Sequence, residues 1–187
     1  GLSGTGPKAG GPHYLPRFSR PLTAHVPSGA VNGLSGLSIG FAIGAVGQVR
    51  AALDAAAMAP IAIEMAGPTG EANTLNVYPR GVVLCLGPDE VSARAQAELA
   101  LERRNGVLVV APGAQRIAAD LGVAGTVIAG VDKRLAPAAI EAGLAVNAVM
   151  HWGDEAALKP WRQALALRDG PIVPLIAGPG DADRLSI

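Results

Sequence analysis

A single cysteine, Cys85, in 187 residues leaves no partner for an internal disulfide and no thiolate set for a cysteine-rich zinc site. A reducing compartment is the natural reading. Aromatic residues are scarce too, at 3%, so the core has to be packed from Ala, Val, Leu and Ile, side chains small enough for close helix-on-sheet layers. There is no excess of either charge. Fifteen Lys and Arg balance fifteen Asp and Glu, which removes the surplus of cations on which non-specific nucleic-acid binding rests. It also leaves little electrostatic protection against self-association, as suits a piece of a larger assembly. No apolar run reaches the roughly 18 residues of a spanning helix. The longest candidate, Val31 to Gly47, is broken by glycines at 33, 36, 40, 44 and 47. No charged region followed by an apolar one marks a secretory signal at the start. The expectation is a soluble cytoplasmic protein with no transmembrane segment, no metal and no nucleic-acid contact.

What is present divides into two textures. Residues 1–47 are rich in Gly, Pro and Ser without a stable period, and read as turns and loops with a short strand around His13 to Phe18. From Gln48 the pattern becomes regular. "QVRAALDAAAMA" (Gln48 to Ala59) reads as an Ala-rich helix stopped by Pro60. "NTLNVYPRGVVLCLG" reads as strand, turn, strand, punctuated by Pro79-Arg80-Gly81.

An alternation follows. "GVVLCLG" (Gly81 to Gly87) is an apolar run suited to a buried strand, and Pro88 to Gly106 a helix with acids in its first turn and arginines in its last. Val107 to Ala111, Gly125 to Val131, Leu144 to Trp152 and Gly170 to Gly178 read as further strands. Between them lie the helical stretches "GAQRIAADLG", "APAAIEAG" and "DEAALKPWRQALAL", the last interrupted by Pro160. Strand and helix alternating at this spacing predict an α/β fold: a Rossmann-like parallel sheet with helices on both faces, preceded by a Gly/Pro-rich irregular segment.

Such a fold invites a nucleotide, yet the motifs do not supply one. Gly4-Thr5-Gly6 with Ala9 formally fits G-x-G-x-x-A. But Pro7 and Lys8 fall inside it, no strand precedes it and no helix follows, so the turn cannot aim amides at a pyrophosphate. It is no Walker loop either, since no Ser or Thr follows Lys8. After the first buried strand, "LGPDE" puts Asp89 and Glu90 where a phosphate would sit. "APGAQR" has one glycine, and "AGPTGEANT" (Ala66 to Thr74) reads best as a connecting loop.

Cys85, mid-strand, reads as an inert buried thiol. His13, His25 and His151 show no metal-ligand spacing. His151 and Trp152, ending an apolar strand, are the best local pocket candidates, although a partly buried structural histidine accounts for them better. No G-x-S-x-G elbow or carboxylate pair stands out. No residue is assigned to catalysis, cofactor binding or metal binding.

The opening is more specific. Ser3-Gly4-Thr5, Lys8-Ala9-Gly10-Gly11-Pro12 and His13-Tyr14 resemble the closing stretch of the aldehyde dehydrogenase domain in the bacterial proline utilization A family, long bifunctional flavoenzymes of the aldehyde dehydrogenase superfamily. "GPTGEANTLNVYPRGVVLCLGP" (Gly67 to Pro88) resembles the segment that leads into the extra C-terminal domain of long members, and Asp183 to Ile187 resembles the approach to their tail motif, which the chain does not reach.

The resemblance implies a fragment of three parts. Residues 1–18 would be the end of an upstream aldehyde dehydrogenase domain, 19–47 a linker, and 48–187 a Rossmann-like, aldehyde dehydrogenase-like domain that is non-catalytic. The parent enzyme would oxidise proline with FAD and then glutamate semialdehyde with NAD, channelling the intermediate between sites, in the cytoplasm or peripherally on a membrane. Neither cofactor is expected on this piece, because the family's catalytic cysteine and cofactor sites would lie upstream of Gly1, and Cys85 lacks the family's G-Q-x-C setting. Its implied role is a lid or docking domain whose partners are the upstream domains of the same polypeptide. A free-standing nucleotide-binding module, with NAD or ATP near Gly87, Pro112 or His151, remains the alternative, followed by a homo-oligomeric scaffold.

Overall fold

The computed structural model describes residues 36–187 other than Pro68. The strand expected at His13 to Phe18, the Gly4–Ala9 motif, and His13 and His25 lie outside the described residues.

Helix α1 (Gly36–Ala56) leads into a two-stranded antiparallel hairpin of β1 (Ile61–Met65) and β2 (Asn73–Val77). Then come β3 (Val82–Cys85), α2 (Glu90–Glu102), β4 (Gly106–Val110), α3 (Ala114–Leu121), β5 (Ile128–Val131), α4 (Ala138–Glu141), β6 (Ala148–Met150), α5 (Glu155–Leu167) and β7 (Leu175–Ile176). A 3-10 helix, Pro179–Leu185, follows β7. Five of the strands form one parallel sheet in the order β5-β4-β3-β6-β7.

β3 and β4 are buried at every position because both faces are covered, which is why they read as unbroken apolar runs. The pleat sorts their side chains. Val82, Leu84, Leu108, Val110 and Val149 face α1, α4 and α5. Val83, Cys85, Val107, Val109 and Met150 face α2 and α3. The helices meet the sheet through alanines: Ala93, Ala97 and Ala100 of α2, Ala114 of α3, Ala139 of α4 and Ala164 of α5. Closest is α3 on β5. A Cβ on Gly130 would stand 2.1 Å from the Ala114 carbonyl oxygen, so the helix rests on bare strand backbone. The expected Rossmann-like sheet with helices on both faces is what forms.

Three local expectations are corrected. The segment read as irregular to residue 47 is helical from Gly36. Ile39, Ala42, Val46 and Val49 fall three and four apart and pack on the sheet, while Gly40, Gly44 and Gly47 sit on the open side with nothing within 4 Å of a Cβ. Burial of that stripe outweighs the glycines' low helix propensity. The same helix corrects the membrane reading. Its window Ile39–Ala56 has the length and apolarity of a spanning helix, but one face of it lies on the sheet. Finally, Pro160 does not interrupt α5, which continues through it.

The amino-terminal edge of the sheet is stitched by two asparagines. Buried Asn105 accepts from the Gly81 amide at 3.1 Å and donates to the carbonyls of Leu185 at 3.0 Å and Ala100 at 3.2 Å. Asn147 accepts from the Val82 amide at 2.9 Å and from Arg50 at 3.3 Å. The residues before β3 also pair with the end of the chain: Tyr78 and Ile187 exchange both backbone hydrogen bonds, at 2.7 and 3.0 Å.

Candidate functional site

In the strand order β5-β4-β3-β6-β7 the chain runs outward from β3 to β5 and then returns to β6. The reversal falls between β3 and β6, and in open parallel sheets the crevice outside the carboxyl ends at such a point is where ligands bind. The residues there are Leu86-Gly87-Pro88 after β3 and His151-Trp152-Gly153 after β6.

The crevice is closed tightly. Leu86 donates its amide to the Met150 carbonyl at 3.0 Å, and His151 donates to Ile176 at 3.1 Å, so strand pairing persists to the rim. Gly87 has a positive φ of 34°, and a Cβ there would come within 2.6 Å of the Ala93 nitrogen. The turn therefore needs glycine to bring α2 close, and not to approach a pyrophosphate. Its amide is already used, donating to Gln96 Oε1 at 2.9 Å.

The helix N-termini at this edge decide which ligands fit. They carry partial positive charge and free amides, which is what makes them anion sites. Here the chain fills them with its own carboxylates. Asp89 caps α2, accepting from the Ser92 amide at 2.8 Å, and that amide bond holds its carboxyl below the usual range. Asp132, in the loop after β5, accepts from the Gln115 amide of α3 at 3.0 Å. Asp154 caps α5 through the Ala157 amide at 2.9 Å. Glu90 adds a further negative charge, forked by Arg116 with contacts of 2.5 Å. A phosphate would have to displace these carboxylates and meet their charge.

Cys85 is wholly buried in β3, and burial pushes its thiol far up, which suppresses the thiolate that nucleophilic chemistry needs. His151 is half-buried, and burial lowers its pKa against an opposing pull from Asp154. Its ring meets Trp161 edge-on at 6.2 Å, and Gly153 folds over it, a Cβ there lying 2.9 Å from His151 Cε1. One side of the imidazole is thus packed against Trp161 and Gly153. His151 Nδ1, Trp152 Nε1 and Gln96 Nε2 lack hydrogen-bond partners. Among the described residues no three His, Cys, Asp or Glu side chains gather as a metal site.

The sequence reading singled out Gly87, Asp89, His151 and Trp152, and the fold does bring them to one edge. Pro112 lies one strand further out, beyond the end of β4. Gln96, Asp132 and Asp154 were missed. Gln96 interrupts a buried alanine stripe at 93, 97 and 100, which was the available signal. "GDEAA" before α5 was a legible cap. Asp132 caps a helix seventeen residues away and left no local trace.

The fold and this edge together define a doubly wound α/β domain whose usual anion positions are self-occupied. No protein-family model matches the chain. Over 92% of its length it is 33% identical to the bifunctional protein PutA of Salmonella typhimurium and 32% identical to that of Escherichia coli, in each case spanning 14% of the relative's length. It is 36% identical to the bifunctional protein PutA of Rhizobium meliloti over 58% of the chain. A solved structure of proline utilization A (PutA) with proline bound in remote sites superimposes at a TM-score of 0.47 and 29% identity, covering 75% of this chain and 16% of that one. The chain is homologous to the bifunctional PutA proteins and corresponds in length to about a seventh of them.

Proposed function

We propose that this chain is the C-terminal region of a bifunctional proline-oxidising enzyme, and that residues 48–187 form a non-catalytic lid or docking domain on its aldehyde dehydrogenase body. The observation that carries the non-catalytic reading is the capping of α2, α3 and α5 by Asp89, Asp132 and Asp154. The α2 N-terminus, after the central strand β3, is where a dinucleotide-binding sheet receives the pyrophosphate. Similarity to PutA over 92% of the chain, with only 14% of the relative spanned, supports a place within a longer polypeptide. On this reading residues 1–18 end the upstream aldehyde dehydrogenase domain and the described fold follows a linker. FAD and NAD act upstream, and the whole enzyme works in the cytoplasm. The domain's contribution is to cover the path of the semialdehyde between the two active sites and keep it from bulk water.

Immunoblotting of source-cell lysate tests the first step. A band several times longer than 187 residues is expected, and one at the size of this chain would overturn the assignment.

The partnerless donors on Gln96 and Trp152 favour one second reading, a small-ligand module at the β3–β6 edge. It predicts measurable heat on titrating NAD or ATP at millimolar concentration. The self-capped helices predict none.

A further inference from the structure

On the α2–α3 side of the sheet an open groove of about 660 Å³ separates the second half of α2 from the residues that run out of α3 toward β5. Leu99, Leu121 and Val123 form its apolar floor. Leu99 and Leu121 pack on the core beneath them, and Val123 is 62% exposed. Three carboxylates line it as well, Glu98 and Glu102 from α2 and Asp120 from α3. Among the described residues no lysine or arginine does.

The two α2 carboxylates sit where they weaken the helix that carries them. They lie one turn apart, a spacing at which like charges repel. Glu102 is also the last residue of α2, where the helix dipole disfavours negative charge. Asp89, Glu90, Asp154 and Glu155 follow the opposite rule and stand at helix N-termini. The arginines next in sequence do not relieve the pair. Arg103 lies 3.6 Å from Asp183, and Arg104 donates to the Ala59 carbonyl at 2.9 Å. Asp120 is engaged by Arg94, but Glu98 and Glu102 have no ion-pair partner among the described residues. An apolar floor beside unrelieved carboxylates fits a partner with apolar anchors and cationic flanks.

We propose that this groove docks a cationic amphipathic helix of a partner polypeptide, with its apolar side chains on Leu99, Leu121 and Val123 and its arginines against Glu98 and Glu102. Recognition of a helix in a groove reads apolar anchors at helical spacing. The α2 wall, residues 95–102, runs about 10 Å at the helical rise. That matches two turns of an incoming helix and takes two or three anchors. Glu98 and Glu102 stand about 6 Å apart along α2 and meet arginines that keep the same spacing of four. Arginine suits the task because its planar fork pairs a carboxylate through two hydrogen bonds. The contact does not rest on the lid reading, and its failure would leave the test of the lid intact.

The probe is a synthetic helical peptide of about fourteen residues, with leucines on one face and arginines on its flanks. It is titrated with the full 187-residue chain and followed by fluorescence anisotropy, and a photoreactive benzoylphenylalanine at one leucine position maps the contact. Saturable binding is expected, with cross-links onto residues 95–126. Raising salt from about 0.05 to 0.5 M should weaken it at least about threefold, as screening of exposed ion pairs requires. Glu98→Gln with Glu102→Gln, both compatible with a helix surface, should weaken it at least about threefold. Glu141→Gln with Asp169→Asn removes the same charge from α4 and the end of α5, on the other face of the sheet, and should change little. Serine in place of the peptide's leucines should weaken binding at least about tenfold. No saturation below about 1 mM, cross-links to another surface, equal losses from the two carboxylate pairs, or a serine peptide that binds as well would each overturn the proposal.

Discussion

Replacing Asn105 by alanine tests how the amino-terminal edge of the sheet is held. The side chain is wholly buried and bridges three backbone segments: Gly81 before β3, Ala100 at the end of α2, and Leu185 near the chain's end. The losses are unequal. The Ala100 carbonyl keeps the backbone amide of Asn105 at 3.1 Å, and the Leu185 carbonyl keeps the Arg80 amide at 3.3 Å. The Gly81 amide has Asn105 Oδ1 as its acceptor and is left unsatisfied. One orphaned donor costs about 1–3 kcal/mol, and two bonds whose acceptors retain a partner cost about 0.5 kcal/mol each. Together these give a destabilisation of roughly 2–4 kcal/mol. For a domain of this size that lowers Tm by roughly 4–16 °C. Thermal unfolding followed by circular dichroism measures it, with Asn76→Ala on the exposed hairpin strand as a control expected to change little. A loss below about 0.5 kcal/mol, the range of ordinary surface substitutions, would refute the view that Asn105 ties these segments together.

Gly130→Ala should destabilise the domain by at least about 1–3 kcal/mol in chemical denaturation, because the new Cβ has to push α3 off β5 backbone. A silent substitution would mean that α3 does not rest there. Cys85 should resist alkylation in the native chain at pH 8 and react only on unfolding, since its thiol is enclosed and held protonated; rapid native labelling would contradict this. His151 is depressed in the fold, so the unfolded chain binds the extra proton first as pH falls. Its contribution to stability is therefore complete above its unfolded pKa of about 6.5 and is lost as pH drops from there toward the lower folded value. Unfolding titrations between pH 8 and 5 on the native chain and His151→Phe should diverge in that direction, and parallel curves would exclude the effect.

The α/β alternation is legible where burial is two-sided and local signals agree. "GVVLCLG" and "GVLVV" have few other homes, and α2 announces itself through Asp89, Glu90 and Asn105-Gly106. α1 is illegible when glycines are counted and legible when apolar positions are, since 39, 42, 46 and 49 keep helical spacing through three glycines. β1 went unread because only its pairing with β2, Ile63 opposite Leu75, makes a strand of a short stretch after Pro60. At the candidate site, the argument against phosphate from Asp89 and Glu90 is local and readable. The role of Asp132 is tertiary. So is the packing of His151 against Trp161, which depends on α5 lying beside the end of β6.

The measurement that bears most directly on a covering role is the time course of NADH formation from proline by the long polypeptide carrying this domain, with and without residues 48–187. Proline-dependent flavin reduction, and NADH formation from added semialdehyde, serve as controls for the separate half-reactions. The account predicts that the intact enzyme forms NADH without a lag. The shortened enzyme should keep flavin reduction but show a lag while released intermediate accumulates in bulk solvent. Equal, lag-free time courses from both would contradict the lid.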